Sequence, residues 1–109
     1  MRIDELSHPI VKAAMTAVNQ NDRATWFALF NPAVKLTDDG NPRQYVKWAD
    51  TEIFGKGNGR ISTIDSEAAD GLTVNAVFHS AVWGEFKTFW KFEIQDEKIT
   101  RLDVGQMNA

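Results

Sequence analysis

The stretch Glu85-Phe86-Lys87-Thr88-Phe89-Trp90-Lys91-Phe92-Glu93-Ile94 decides the fold. Phe86, Thr88, Trp90, Phe92 and Ile94 stand two residues apart, so their side chains leave one face of an extended strand. Glu85, Lys87, Lys91 and Glu93 fall on the other face, with Phe89 the one apolar residue among them. Such alternation predicts a strand with one buried, aromatic side and one wet side. Working outward, Leu72–Val82 precedes it and Lys98–Val104 follows, making three consecutive antiparallel strands turned by Trp83-Gly84 and Asp96-Glu97. Arg60–Ala69 adds a fourth, joined through Asp70-Gly71, where both positions tolerate positive φ.

An aromatic face of that size needs a cover, and the N-terminal half supplies it. Ser7 is the expected N-cap of a first helix, with Pro9 in its opening turn, where a missing N–H does no harm. Ile10, Val11, Ala14, Met15 and Val18 form its apolar stripe. Asn21 or Asp22 caps a shorter helix carrying Trp26, Phe27 and Phe30, which Asn31-Pro32 stops. Ala33–Thr37 alternates and reads as a short strand. Asp38-Asp39-Gly40-Asn41-Pro42 is a turn by composition, and Asn41 caps a third helix with Pro42 at its first position. That helix spans Arg43–Phe54, with Tyr45, Trp48, Ala49 and Ile53 on its inner face. Gly55-Lys56-Gly57-Asn58-Gly59 is its stop and a loop. The expectation is an α+β fold: a curved antiparallel sheet covered by three N-terminal helices, as a single domain over 1–109.

The composition narrows the function classes. At 43% hydrophobic and 25% charged residues the chain is ordinary for a soluble globular protein. A formal charge of -3, with Lys and Arg scattered, argues against a nucleic-acid partner. No cysteine is present, which removes disulfides and thiolate chemistry. Met1-Arg2-Ile3-Asp4-Glu5 has no basic segment leading into an apolar run, and no apolar run nears the roughly 18 residues of a membrane span. A cytoplasmic protein without a membrane partner is expected. Gly55-Lys56-Gly57-Asn58-Gly59 lacks the ending of a phosphate loop. Two distant histidines argue against a metal site, and no cofactor is expected. What remains is aromatic surface: most of Trp26, Trp48, Trp83 and Trp90 must be core. Trp48 and Trp90, with Tyr45 and Phe30, are the candidates to line a pocket for a small, flat, apolar ligand.

The element order, together with Asn21-Asp22-Arg23-Ala24-Thr25-Trp26-Phe27-Ala28-Leu29-Phe30, the strand Ala33–Thr37 with its acidic turn, and Lys91-Phe92-Glu93-Ile94-Gln95-Asp96-Glu97-Lys98-Ile99, resembles the nuclear transport factor 2-like superfamily. That group includes the SnoaL-like polyketide cyclases and the ketosteroid isomerases, and the resemblance covers nearly the whole chain. It implies a cone with an open end (the cystatin-like α+β roll) and a homodimer packed sheet to sheet, for which Phe89 and Val77 would suit the outer face. It also implies a role for Asp38, which falls at the position resembling the ketosteroid isomerase base that takes a proton from carbon next to a ketone. The plain alternative is that Asp38 and Asp39 only bend the chain.

Two departures from that pattern stand out. Ketosteroid isomerases need two acidic donors, and the matching positions fall near Ala14 and Trp90, of which only Trp90 offers an N–H. His79 could pair with Asp38 as a helper, as acid-base pairs in SnoaL-like cyclases suggest, if it points into the cone; otherwise it is a core or surface histidine. Arg101 and Asp103 share a face of the last strand, as an epoxide-hydrolase branch would use them. That branch needs a further facing carboxylate, none stands at a matching position, and a surface charge pair is the simpler reading. Three functions follow as expectations: a small-molecule-binding domain, an isomerase, cyclase or dehydratase using Asp38 as base, and an interaction domain whose cone is filled by its own side chains.

Overall fold

Phe86, Thr88, Trp90, Phe92 and Ile94 do share the inner face of one long strand in the computed structural model, which describes residues 1–107. The last two residues of the domain expected over 1–109 lie outside the described residues. A short 3-10 turn at Ile3–Glu5 leads into helix α1 (Pro9–Asn19) and helix α2 (Arg23–Ala28). Strands β1 (Phe30–Asp38) and β2 (Asn41–Arg43) precede helix α3 (Tyr45–Glu52). Strands β3 (Arg60–Glu67), β4 (Thr73–Ser80), β5 (Gly84–Gln95) and β6 (Lys98–Gln106) follow as the meander. The sheet has six strands in the order β2-β1-β6-β5-β4-β3. All its neighbours are antiparallel except β1 and β6, which pair in parallel. β1 thus covers the edge that the last strand of the meander would otherwise leave open.

The core lies between the sheet's inner face and the helices. Val11, Ala14, Met15 and Val18 from α1, Trp26 from α2, and Ala49 and Ile53 around α3 meet Ile64, Val74, Ala76, Phe92 and Leu102, all buried. Phe92, 1% exposed, alone contributes about 2–3 kcal/mol of hydrophobic burial. On the outer face Phe89 is half-buried beside Gly105, where a Cβ would lie 2.7 Å from the Phe89 ring. The apolar residue among the charges therefore has an intramolecular partner.

Local chemistry differs from the sequence reading at several joints. His8, and not Ser7, caps α1, its Nδ1 accepting from the Ile10 N–H at 3.2 Å, while Ser7 reaches Glu67. Asp22 caps α2 by accepting from the Thr25 N–H at 3.1 Å. Phe30 belongs to β1, which is longer than Ala33–Thr37. Asp39 and Gly40, at φ 51° and 81°, form a two-residue turn that folds Asn41–Arg43 back on β1 as a strand. Asn41-Pro42 therefore opens no helix, and Gln44 caps α3 by accepting from the Lys47 N–H at 2.7 Å. The turn expected at Asp96-Glu97 forms, with positive φ at both residues. The one expected at Trp83-Gly84 falls instead at Ala81–Trp83, because β4 ends at Ser80 and Gly84, at φ 82°, already pairs with it as the first residue of β5.

The free edge of β3 is occupied by two pieces of chain. The Asn19 amide, at the end of α1, accepts from the Ile61 N–H at 2.6 Å and donates to the Ile61 carbonyl at 3.0 Å. Met1 pairs with Ile64, receiving its N–H at 3.2 Å and donating its ammonium to the Ile64 carbonyl at 2.9 Å. These contacts present partners to groups that another strand would seek.

Candidate active site and ligand cavity

An open cavity of about 940 Å³ lies at one end of the sheet, between its inner face, α3 and the β1–β2 hairpin. Its floor is an aromatic chain. Trp48 meets Trp90 edge to face with centroids 6.4 Å apart, Trp90 lies 5.8 Å from Phe78, and Phe78 lies 5.9 Å from Phe86. Trp90 and Thr88 reach the floor because they are two apart on β5. Trp48 reaches it from α3.

The polar groups of the floor satisfy one another. Trp90 donates Nε1–H to Thr88 Oγ1 at 2.8 Å, and the Thr88 hydroxyl donates to the Ala76 carbonyl, also at 2.8 Å. Trp48 donates Nε1–H to Asp38 Oδ2 at 2.9 Å. Every indole N–H on the floor is thereby used, as buried donors require.

Asp38 and Asp39, adjacent in sequence, do different things. Asp39 makes the turn and ties it to β6: its N–H donates to the Val104 carbonyl at 3.0 Å, and its Oδ1 accepts from the Gln106 N–H at 2.8 Å. Asp38 is the last residue of β1, on the face of buried Leu36, so its half-buried carboxylate enters the cavity. Glu52 joins it from α3, one turn beyond Trp48 and so on the same helix face. Burial raises the Glu52 carboxyl above its ordinary value, and the charge of Asp38 adds to this; the Trp83 indole and Arg43 oppose it. Arg43, Lys47 and Glu85 stand exposed at the rim, beside Trp83, which is 68% exposed.

Of the residues singled out from sequence, the cavity brings together Asp38, Trp48 and Trp90. His79 does not join them. It is exposed on the outer face, opposite Arg60 and Glu85, because Phe78 and Ser80 on either side point inward. The Asp38–His79 pair does not form. Tyr45 and Phe30 line no part of the cavity either. They pack on each other at 4.7 Å, with Phe27 and Trp26 against them, since α2 closes over the far end of β1. The Tyr45 hydroxyl and Trp26 Nε1–H are both buried without a hydrogen-bond partner among the described residues. Burial raises the Tyr45 phenol, so it stays neutral. Arg101 and Asp103 are on the outer face, Nε to Oδ2 at 3.0 Å, with Thr37 Oγ1 donating to Asp103 at 2.5 Å. The sequence reading missed Glu52. Its spacing of four from Trp48 was the available signal.

No protein-family model and no curated protein sequence matches the chain. Solved structures match over nearly its full length. A candidate polyketide cyclase from Sinorhizobium meliloti superposes with a TM-score of 0.75 at 21% identity, covering 95% of this chain and 99% of that one. A protein of cystatin-like fold from Xanthomonas campestris gives 0.75 at 20% identity, with 99% and 92% covered. The orange carotenoid protein of Anabaena (Nostoc), in a structure binding canthaxanthin, gives 0.73 at 17% identity, covering 94% of this chain but 37% of that one. The class is thus an α+β cone of cystatin-like fold. More particularly, it is the fold shared by these three solved structures. Among the described residues no helix is long and apolar enough to cross a membrane.

Proposed function

We propose that this protein is a small-molecule-binding domain and that the cavity floored by Trp48 and Trp90 is its ligand site. The observation that carries this reading is an open space of about 940 Å³ whose floor is four aromatic rings in contact with one another. An apolar wall with a few placed polar groups is the usual make-up of such a site. Binding of canthaxanthin by a structural neighbour accords with it. Titration with flat, mostly apolar compounds, followed by tryptophan fluorescence and thermal shift, tests the proposal. Hits that disappear in Trp90→Ala support it, and a blank across the set favours a closed, purely structural cone.

A second reading, a proton-transferring enzyme with Asp38 as base, has one observation in its favour: Asp38 faces a space large enough for a substrate, with Glu52 nearby. Against it, the floor offers no free donor where an enolate oxygen would develop charge, and that stabilisation is usually the largest part of such catalysis. Turnover of a ketone by the wild type and its loss in Asp38→Asn would establish the enzyme. A homodimer through the outer face around Phe89 and Val77 belongs to the same proposal. Sedimentation that finds only monomer at micromolar concentration overturns it.

A further inference from the structure

We infer that the ligand of this cavity carries a protonated amine on an apolar, aromatic-sized body. This rests on the proposal that the cavity is the ligand site, and it follows from an inventory of hydrogen-bonding groups. The floor's donors are all committed: Trp48 Nε1–H to Asp38, Trp90 Nε1–H to Thr88, and the Thr88 hydroxyl to the Ala76 carbonyl. Acceptors are left over. Asp38 Oδ1 has no hydrogen bond among the described residues. Glu52 has no ion pair among them, and the one donor that bears on its carboxyl is the indole of exposed Trp83 at the rim. Both carboxylates are half-buried on the aromatic wall.

The charged groups facing this space come from four elements and one turn. Asp38 stands on β1, Asp39 in the β1–β2 turn, Arg43 on β2, Lys47 and Glu52 on α3, and Glu85 on β5. Only Asp38 and Glu52 are half-buried; the cations Arg43 and Lys47 are exposed at the mouth, as are Asp39 and Glu85. Depth therefore sorts the charge: negative inside, mixed outside. A carbonyl or carboxylate reaching the floor would set acceptor against acceptor. An ammonium would donate to Asp38 and Glu52 while resting against Trp48 and Trp90, whose ring faces attract a cation.

The test compares three ligands of one shape by calorimetry at pH 7: 2-(2-naphthyl)ethylamine, 2-(2-naphthyl)ethanol and 2-naphthylacetic acid. The amine is expected to bind about tenfold more tightly than the alcohol, from charge-assisted hydrogen bonds and cation–π contact together. Glu52→Gln should loosen the amine about fivefold and leave the alcohol within about twofold, while Asp103→Asn on the outer face leaves both unchanged. Alcohol or acid binding as tightly as the amine overturns the inference and leaves the cavity a ligand site. Binding of none of the three, with the Trp48 and Trp90 indole resonances unmoved, overturns both.

Discussion

Trp48 donates its indole N–H to Asp38 at 2.9 Å, a bond that ties α3 to the end of β1 and holds the Asp38 carboxylate against the cavity wall. Trp48→Phe should therefore destabilise by about 1–2 kcal/mol, since it removes a hydrogen bond to a charged group and leaves that group half-buried. Asp38→Asn keeps an acceptor and should cost less. A double-mutant cycle of Trp48→Phe with Asp38→Ala, which removes the acceptor, is expected by urea denaturation to show coupling above about 0.5 kcal/mol between the two positions. Additive losses would mean that the bond contributes nothing.

Asn19 stands in for a neighbouring strand by exchanging two hydrogen bonds with Ile61. Asn19→Ala should cost about 1–2 kcal/mol and uncover part of the β3 edge. Amide exchange at Ile61 should accelerate, and light scattering on heating should rise earlier than in the wild type.

Gly105 has no room for a side chain. A Cβ there would lie 2.7 Å from the Phe89 ring and 2.9 Å from Asp39 Oδ1, the atom that pins the β1–β2 turn to β6. Gly105→Ala is expected to cost about 1–3 kcal/mol by overpacking. Adding Phe89→Leu should recover part of that loss, because the ring is one of the two obstacles. Thermal denaturation of the three variants reads this directly.

Two carboxyl groups should act on stability in opposite directions with pH. Glu52 is raised by burial first and by Asp38 second, so the native state holds its proton at pH values where the unfolded chain has released it. Its contribution is fully present below the unfolded value of 4.5 and is lost as pH rises through the higher native one. Asp103 is lowered: burial works against ionisation, but hydrogen bonds from Arg101 and Thr37 outweigh it. Its contribution is present above 3.8 and is lost as pH falls through the native value. Glu52→Gln should therefore gain on the wild type as pH rises above about 4.5, and Asp103→Asn should flatten the acid limb of the stability curve. Urea midpoints between pH 2 and 8 measure both.

How far the chain could be read unaided varies from residue to residue. The inner face of β5 was legible because alternation of five residues leaves one possible parity. The same rule applied to β4 would have placed His79 correctly. Val74, Ala76 and Phe78 alternate against Thr73, Asn75 and His79, so His79 belongs with the polar set. The role of Asp39 was half visible, since Asp-Gly marks a tight turn, but a turn signal does not say which strand receives the returning chain. Tyr45 and Phe30 have the chemistry of a cavity wall, and that chemistry does not distinguish a cavity wall from a core contact.

The sequence by itself determined the strand periodicity, the turns, the helical cover and hence the α+β class, because these depend on residues close together along the chain. The tertiary structure alone decided the cavity. Asp38, Trp48, Glu52, Thr88 and Trp90 come from β1, α3 and β5, and only the curvature of the sheet and the pairing of β1 with β6 bring them around one space. It also decided which donors are free. A hydrogen bond such as Trp48 to Asp38 joins groups whose backbones are set by different elements, so no local pattern encodes it.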